Sequence, residues 1–118
     1  ATLAILMDLG FPEYSEGFGY LRSAIIIRVG NACLRFGAIY QRIAEMQGPG
    51  TSDQQVEQDI RSLITEAWKY RDINRWMIVF PPDGRGKQDR PSNGKVIAKF
   101  ACLLELWHDC CEEVSYAG

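Results

Sequence analysis

Gln54, Gln58, Arg61, Ser62, Thr65 and Lys69 recur at spacings of three and four residues, so on a helix they share one face. Amides, hydroxyls, a guanidinium and an ammonium in that pattern can hydrogen-bond base edges or hold phosphate oxygens. The opposite stripe is Val56, Ile60, Leu63, Ile64, Ala67 and Trp68, which predicts an amphipathic helix over 52–69 with its apolar side in a core. Thr51 or Ser52 can cap its N-terminus, and Asp53 suits the first turn. A shorter helical run, AIYQRIAEM (38–46), precedes it across Gly48-Pro49-Gly50. Short helix, glycine turn, longer helix is the grammar of a helix-turn-helix, expected here at about 38–69. The same periodicity describes an ordinary solvated surface helix, so the pattern alone leaves both readings open.

Other chemistry is sparse. A single histidine, His108, leaves little room for a Ser-His-Asp or Cys-His arrangement, and no stretch has the spacing of a phosphate or dinucleotide loop. No enzymatic activity is expected. The four cysteines, Cys33, Cys102, Cys110 and Cys111, form no C-x-x-C pair. They are expected to be free thiols, with Cys33, Cys102 and Cys110 on apolar, buried positions. His108, Asp109 and Cys111 have no second cluster to complete a four-ligand zinc site, so neither a metal nor another cofactor is expected.

The elements that must position these residues are helical. The pattern predicts helices at 2–9, about 18–35, 38–46, 52–69 and near 72–79, and a last one capped by Ser92 or Asn93. Gly30 then lies inside the second helix, where close packing would justify it, and Gly37 separates the second from the third. Trp68 and Trp107 sit on the apolar stripes of their helices and are expected to be buried. The expected fold is all-α, about six helices containing a helix-turn-helix, of an effector-domain type that is winged-helix-like but lacks a sheet.

At 118 residues the chain fits one domain with one core, and 47% hydrophobic with 24% charged residues is ordinary for a globular protein. No apolar run can span a bilayer and no signal pattern is present, so a cytoplasmic protein without membrane contact is expected. Beginning at Ala1 in an already helical segment, the chain is expected to be a processed or excised piece of a longer one. The formal charge of −2 argues mildly against a free-standing nucleic-acid binder. Charge is uneven, however. Arg85, Lys87, Arg90, Lys95 and Lys99 face one acid, Asp89, whereas Glu105, Asp109, Glu112 and Glu113 have no base among them.

Residues along the whole chain resemble the C-terminal effector domain of the sporulation master regulator, stage-zero sporulation protein A. LMDLGFP followed by GFGYLRSAI (6–25) is similar to that family's opening, I-x-x-[IL]-G-[VI]-P-x-x-x-x-G-[YF]-x-Y-L-R-x-A-I. Val56-Glu57, Ile60-Arg61 and Glu66-Ala67-Trp68 match V-E-R-A-I-R-H-A-I-E-x-A-W, and Asp72-Ile73 resembles the segment after it. Arg90-Pro91-Ser92-Asn93 with Ile97-Ala98 resembles K-P-T-N-x-x-F-I-A. The resemblance implies a six-helix domain whose fourth helix reads DNA, acting in transcriptional control of entry into sporulation under a phosphorylated N-terminal receiver domain. The receiver's chemistry cannot be placed on these residues.

Departures fall on the reading helix. Where the family has R-V-E-R-x-I-R-H, this chain has Gln55, Val56, Glu57, Gln58, Asp59, Ile60, Arg61 and Ser62. Two arginines have become glutamines, and an acid has appeared. Glutamine can still pair with adenine, so altered specificity is as consistent with these changes as loss of binding. The reading that follows puts Gln55, Glu57, Gln58, Arg61 and Ser62 in the major groove of double-stranded DNA, with Arg61 dominant. Ser52, Gln54, Lys69, Arg85, Lys87, Arg90 and Lys95 would contact phosphate. A homodimer on DNA and a receiver domain are its further expected partners. The alternative is a divergent helical domain kept for protein–protein interaction or dimerisation. The DNA reading needs the 85–95 loop and the outer face of helix 52–69 to form one continuous positive surface. The alternative expects Asp53, Glu57 and Asp59 to interrupt it.

Overall fold

A computed structural model describes residues 9–12, 15–31, 33–82 and 89–117, the last eleven of these as backbone only. Its described residues form five helices: α1 (Glu16–Gly30), α2 (Phe36–Gln47), α3 (Asp53–Lys69), α4 (Ile73–Val79) and α5 (Asn93–Ala117). No strand occurs among them. The helix expected at 2–9 lies outside the described residues except for Leu9, which is buried in a turn.

Local chemistry sets the bounds. The Ser15 hydroxyl accepts the Gly17 N–H and starts α1. The helix ends at Gly30 because Asn31 leaves helical geometry, its side chain donating to the Ile27 carbonyl and its N–H to that of Arg28. The expected continuation to residue 35 is therefore wrong. Phe36, which falls in phase with α1, begins α2 instead, and Gly37 lies inside α2 rather than separating two helices. Gly30 is exposed with open space beside it, so close packing is not its reason. Arg28 spans the corner, donating to the Leu34 carbonyl at 2.9 Å and lying 4.9 Å over the Phe36 ring.

The turn between α2 and α3 needs its glycines. Gly48 and Gly50 have φ of +91° and +97°, where a side chain would strain the backbone. Ser52 then caps α3, its hydroxyl accepting the Gln55 N–H at 3.1 Å. Asp72 caps α4 through the N–H groups of Asn74 and Arg75. Of the two candidates for capping α5, Ser92 does so, accepting the Lys95 N–H at 3.2 Å.

The apolar stripe of α3 is buried as its spacing predicts: Val56, Ile60, Leu63, Ile64 and Ala67. It packs on α1, α2 and α5, while α1 packs on α5. At the α1–α3 crossing, Gly17 meets the Asp59 backbone carbonyl and the Leu63 side chain so closely that a Cβ there would overlap them. Aromatic side chains of the same core hold α4. Trp76 is fully buried, donates its indole N–H to the Leu9 carbonyl at 2.9 Å, and lies 5.7, 5.8 and 5.5 Å from Phe11, Trp68 and Phe80.

Two burial expectations change. Trp68 is only partly buried, with the Arg71 guanidinium 3.5 Å over its ring, and Trp76 takes the central place; the Trp107 side chain lies outside the described residues. Cys33 and Cys102 are free thiols but exposed, Cys33 because α1 stops before it and Cys102 because it turns outward beside buried Ala101. Cys110 and Cys111, with His108 and Asp109, lie outside the described side chains.

A helix-interior Gly→Ala change ordinarily gains about 1 kcal/mol. At Gly17 the overlap with backbone outweighs that gain, since overpacking costs about 1–3 kcal/mol. Gly17→Ala should lower the urea midpoint, whereas Gly19→Ala, which faces open space, should raise it. A Gly17→Ala midpoint at or above wild type would show that α1 can withdraw from α3. Trp76→Ala should cost roughly 3–5 kcal/mol, and Trp68→Ala less; the reverse order in chemical denaturation would contradict the burial described here.

Candidate nucleic-acid interface

Seventeen residues of α3 divide into a buried stripe, an outer face and two flanks. Gln54, Gln58, Ser62, Thr65 and Lys69 are exposed on the outer face. This face is rich in hydrogen-bonding groups and nearly neutral. Thr65 returns its hydroxyl to the Arg61 carbonyl at 2.9 Å. Lys69 closes the C-terminal end, 5.3 Å from the Tyr70 ring. Ser52 is exposed, but its hydroxyl already serves the cap.

One flank faces α1 and is acidic. Asp59, Ser62 and Glu66 line an open groove there with Ser15 and Glu16. Gln55 projects along this side, and its amide donates to the Asp59 carboxylate at 2.9 Å.

The other flank faces α2 and α5. An open groove of about 630 Å³ is lined there by Phe36 and Tyr40 of α2, Asp53, Glu57 and Arg61 of α3, and Arg90, Ser92, Asn93 and Gly94 at the start of α5. Arg61, a proposed base reader, thus shares a wall with Arg90, a proposed phosphate contact. Arg61 pairs with Glu57 at 2.6 Å, with the side chains 50% and 41% exposed. Such an i,i+4 pair contributes about 0.3–0.5 kcal/mol, less than the roughly 1–3 kcal/mol of a guanidinium–guanine contact. A base could therefore take Arg61 from Glu57. Lys95 is exposed in the first turn of α5 and does not line this groove. Arg85 and Lys87 lie outside the described residues.

Sequence reading missed the floor of this groove. Asn93 is 9% exposed and donates its amide to the Glu57 carbonyl at 3.0 Å, tying α5 to the middle of α3. Its Oδ1 is buried without a hydrogen-bond partner among the described residues. Burial pushes the neighbouring Tyr40 hydroxyl above its ordinary pKa, the Asn93 side chain holds it down, Glu57 raises it and Arg61 lowers it. Tyr40 is therefore a neutral phenol at physiological pH. In the sequence Asn93 shows only as a candidate cap and as part of the Arg90-Pro91-Ser92-Asn93 pattern, since nothing local joins it to Glu57, 36 residues away.

Among the described residues, acids interrupt the cations beside α3; Arg85 and Lys87 lie outside them. Asp53 and Glu57 stand among Arg61 and Arg90, and Asp59 and Glu66 occupy the far flank. Among the described residues no group of three His, Cys, Asp or Glu side chains could hold a metal ion, and no helix is long and apolar enough to cross a membrane.

The sequence profile of the family described as sporulation initiation factor Spo0A, C terminal, matches residues 2–104.

Removing the Asn93 amide should cost about 1 kcal/mol, the usual value of one hydrogen bond. Asn93→Asp should be worse at neutral pH because it sets a buried carboxylate against the Glu57 carbonyl. Burial would raise that carboxyl's folded pKa above its unfolded value, so the deficit should be present at neutral pH and shrink as pH falls through the folded value. Denaturation midpoints at pH 7 and 5 test this; an Asn93→Asp deficit that does not change between them would remove Asn93 from the buried position assigned to it.

Proposed function

The chain belongs to the family of the Spo0A C-terminal domain, a DNA-binding effector domain of a sporulation response regulator, and we propose that α3 is its recognition helix, read in the major groove of double-stranded DNA. The family is one of transcription-factor domains, not of enzymes. In this proposal α2, the Gly48–Gly50 turn and α3 form the helix-turn-helix. Gln55, Glu57, Gln58, Arg61 and Ser62 face base edges. Gln54, Lys69, Arg90 and Lys95, with Ser52 and the Arg85 and Lys87 of the adjoining loop, hold the backbone. Two copies on DNA and a receiver domain in the same protein belong to the proposal.

One observation carries it. The apolar stripe of α3 is consumed by the core, while its outer side is an exposed row of amides, hydroxyls, the Arg61 guanidinium and the Lys69 ammonium, with Asp53, Glu57, Asp59 and Glu66 along its flanks and Arg90 nearby at the start of α5. Side chains of this kind form hydrogen bonds with base edges, and a helix held by its apolar side can present them to a groove. The interrupted charge favours a second reading, a divergent domain for protein–protein interaction with weak DNA binding. It also sets an expectation for the first, since each phosphate contact adds about 0.9 to the salt slope. Asp53, Glu57, Asp59 and Glu66 repel phosphate near α3, so the slope should fall below what the proposed cationic contacts alone would give.

The test is affinity for a duplex recovered from a random pool against a scrambled duplex. Arg61→Ala should lose roughly 1–3 kcal/mol of discrimination at one base pair. Arg90→Ala should weaken both duplexes alike and reduce the salt slope by about one unit. A wild-type protein that prefers neither duplex at low salt would leave the interaction reading in place. Equal discrimination by wild type and Arg61→Ala would move the principal contact to another residue.

A further inference from the structure

Gln55 is the third residue of α3, and two partners compete for its side chain. With Ser52 as cap and its hydroxyl on the Gln55 N–H, the segment Ser52-Asp53-Gln54-Gln55 has the form of a capping box. In a completed box the glutamine carbonyl turns back to accept the N–H of the cap residue. Here the amide runs the other way and donates from Nε2 to Asp59 Oδ1 at 2.9 Å, one turn further on. An ionised carboxylate only accepts, so the contact identifies which end of the amide faces Asp59. Asp59 is itself a firm anchor, because its backbone carbonyl lies where α1 presses on α3 at Gly17.

We infer that Asp59 is a positioning residue that commits Gln55 to adenine, an inference that rests on α3 being the recognition helix. An amide free to turn can offer a donor and an acceptor to adenine N7 and N6, or two donors to guanine N7 and O6. Asp59 takes one of the two N–H hydrogens. When that is the hydrogen pointing away from Oε1, the remaining edge is Oε1 beside one N–H. That edge matches adenine and sets Oε1 against guanine O6. The acid therefore acts twice. It keeps the amide out of the capping box, and it removes the second donor that guanine would need, so specificity arises partly by rejecting the wrong base. Asp59 also repels phosphate, which lowers affinity for every duplex alike. Its cost in general affinity and its gain in base choice are thus separable.

The experiment uses the duplex that wild-type protein recovers from a random pool. The base pair read by Gln55 is the one whose replacement Gln55→Ala no longer senses. At that pair, wild type should prefer adenine over guanine roughly tenfold or more, and 7-deazaadenine should abolish the preference. Asp59→Ala and Asp59→Asn should both bind all duplexes more tightly. Only Asp59→Ala should let the adenine preference collapse, because asparagine still accepts from Gln55. Circular dichroism melts of the free proteins check that both variants fold. A preference that survives in Asp59→Ala, or one lost equally in Asp59→Asn, would overturn the inference while leaving the recognition helix in place. A wild type that prefers no duplex would overturn both.

Discussion

The contact between α1 and α3 at Gly17 is the constraint on which the rest depends. The Gly17 backbone, without a Cβ, lies directly against the Asp59 backbone carbonyl and the Leu63 side chain. Below it, Leu21, Ala24 and Ile25 of α1 are fully buried, as are Val56, Ile60 and Ile64 of α3. With its inner stripe held this way, α3 cannot roll without opening a cavity, which cores resist. Its outward side chains are consequently fixed in angle as well as in sequence. The Asn93 tie to Glu57 adds a second fixed point on the opposite flank. Together they set where Gln55, Gln58, Arg61 and Ser62 face.

Electrostatics then decide what kind of surface this is. A DNA-binding face built mainly on charge would show a continuous run of cations. Around α3 the acids Asp53, Glu57, Asp59 and Glu66 stand beside Arg61, Lys69 and Arg90. In the proposed function such a face gains less from counterion release than an uninterrupted run of cations would, and hydrogen bonds and shape supply more of its affinity. The two i,i+4 pairs, Gln55 with Asp59 and Glu57 with Arg61, are weak individually. Their value to the proposed function lies in orientation, since each limits the angles at which a reading group meets a base.

Residues that repeat locally were legible in the chain. The bounds of α3, its Ser52 cap and its buried stripe follow from period and capping chemistry, and the family resemblance agrees with the match over residues 2–104. Contacts set by tertiary structure were not. Hydrophobicity alone does not say that Trp76 is buried while Ile73, Met77 and Ile78 on the same short helix are exposed. The end of α1 was misplaced because Phe36 falls in phase with a helix that Asn31 has already closed. Cys33 is exposed because it lies past that end, and Cys102 because it falls beside the buried stripe of α5, not on it. The groove floor of Tyr40 and Asn93 joins three helices, and no local spacing encodes that meeting.

The most direct measurement is an amide chemical-shift map of the isotope-labelled protein as it is titrated with a duplex it has itself selected. The account predicts the largest changes at Gln54, Gln55, Gln58, Arg61 and Ser62 on α3, joined by Ser92, Asn93 and Gly94 at the start of α5. Changes confined to Ile73–Val79, with the outer face of α3 unmoved, would contradict it.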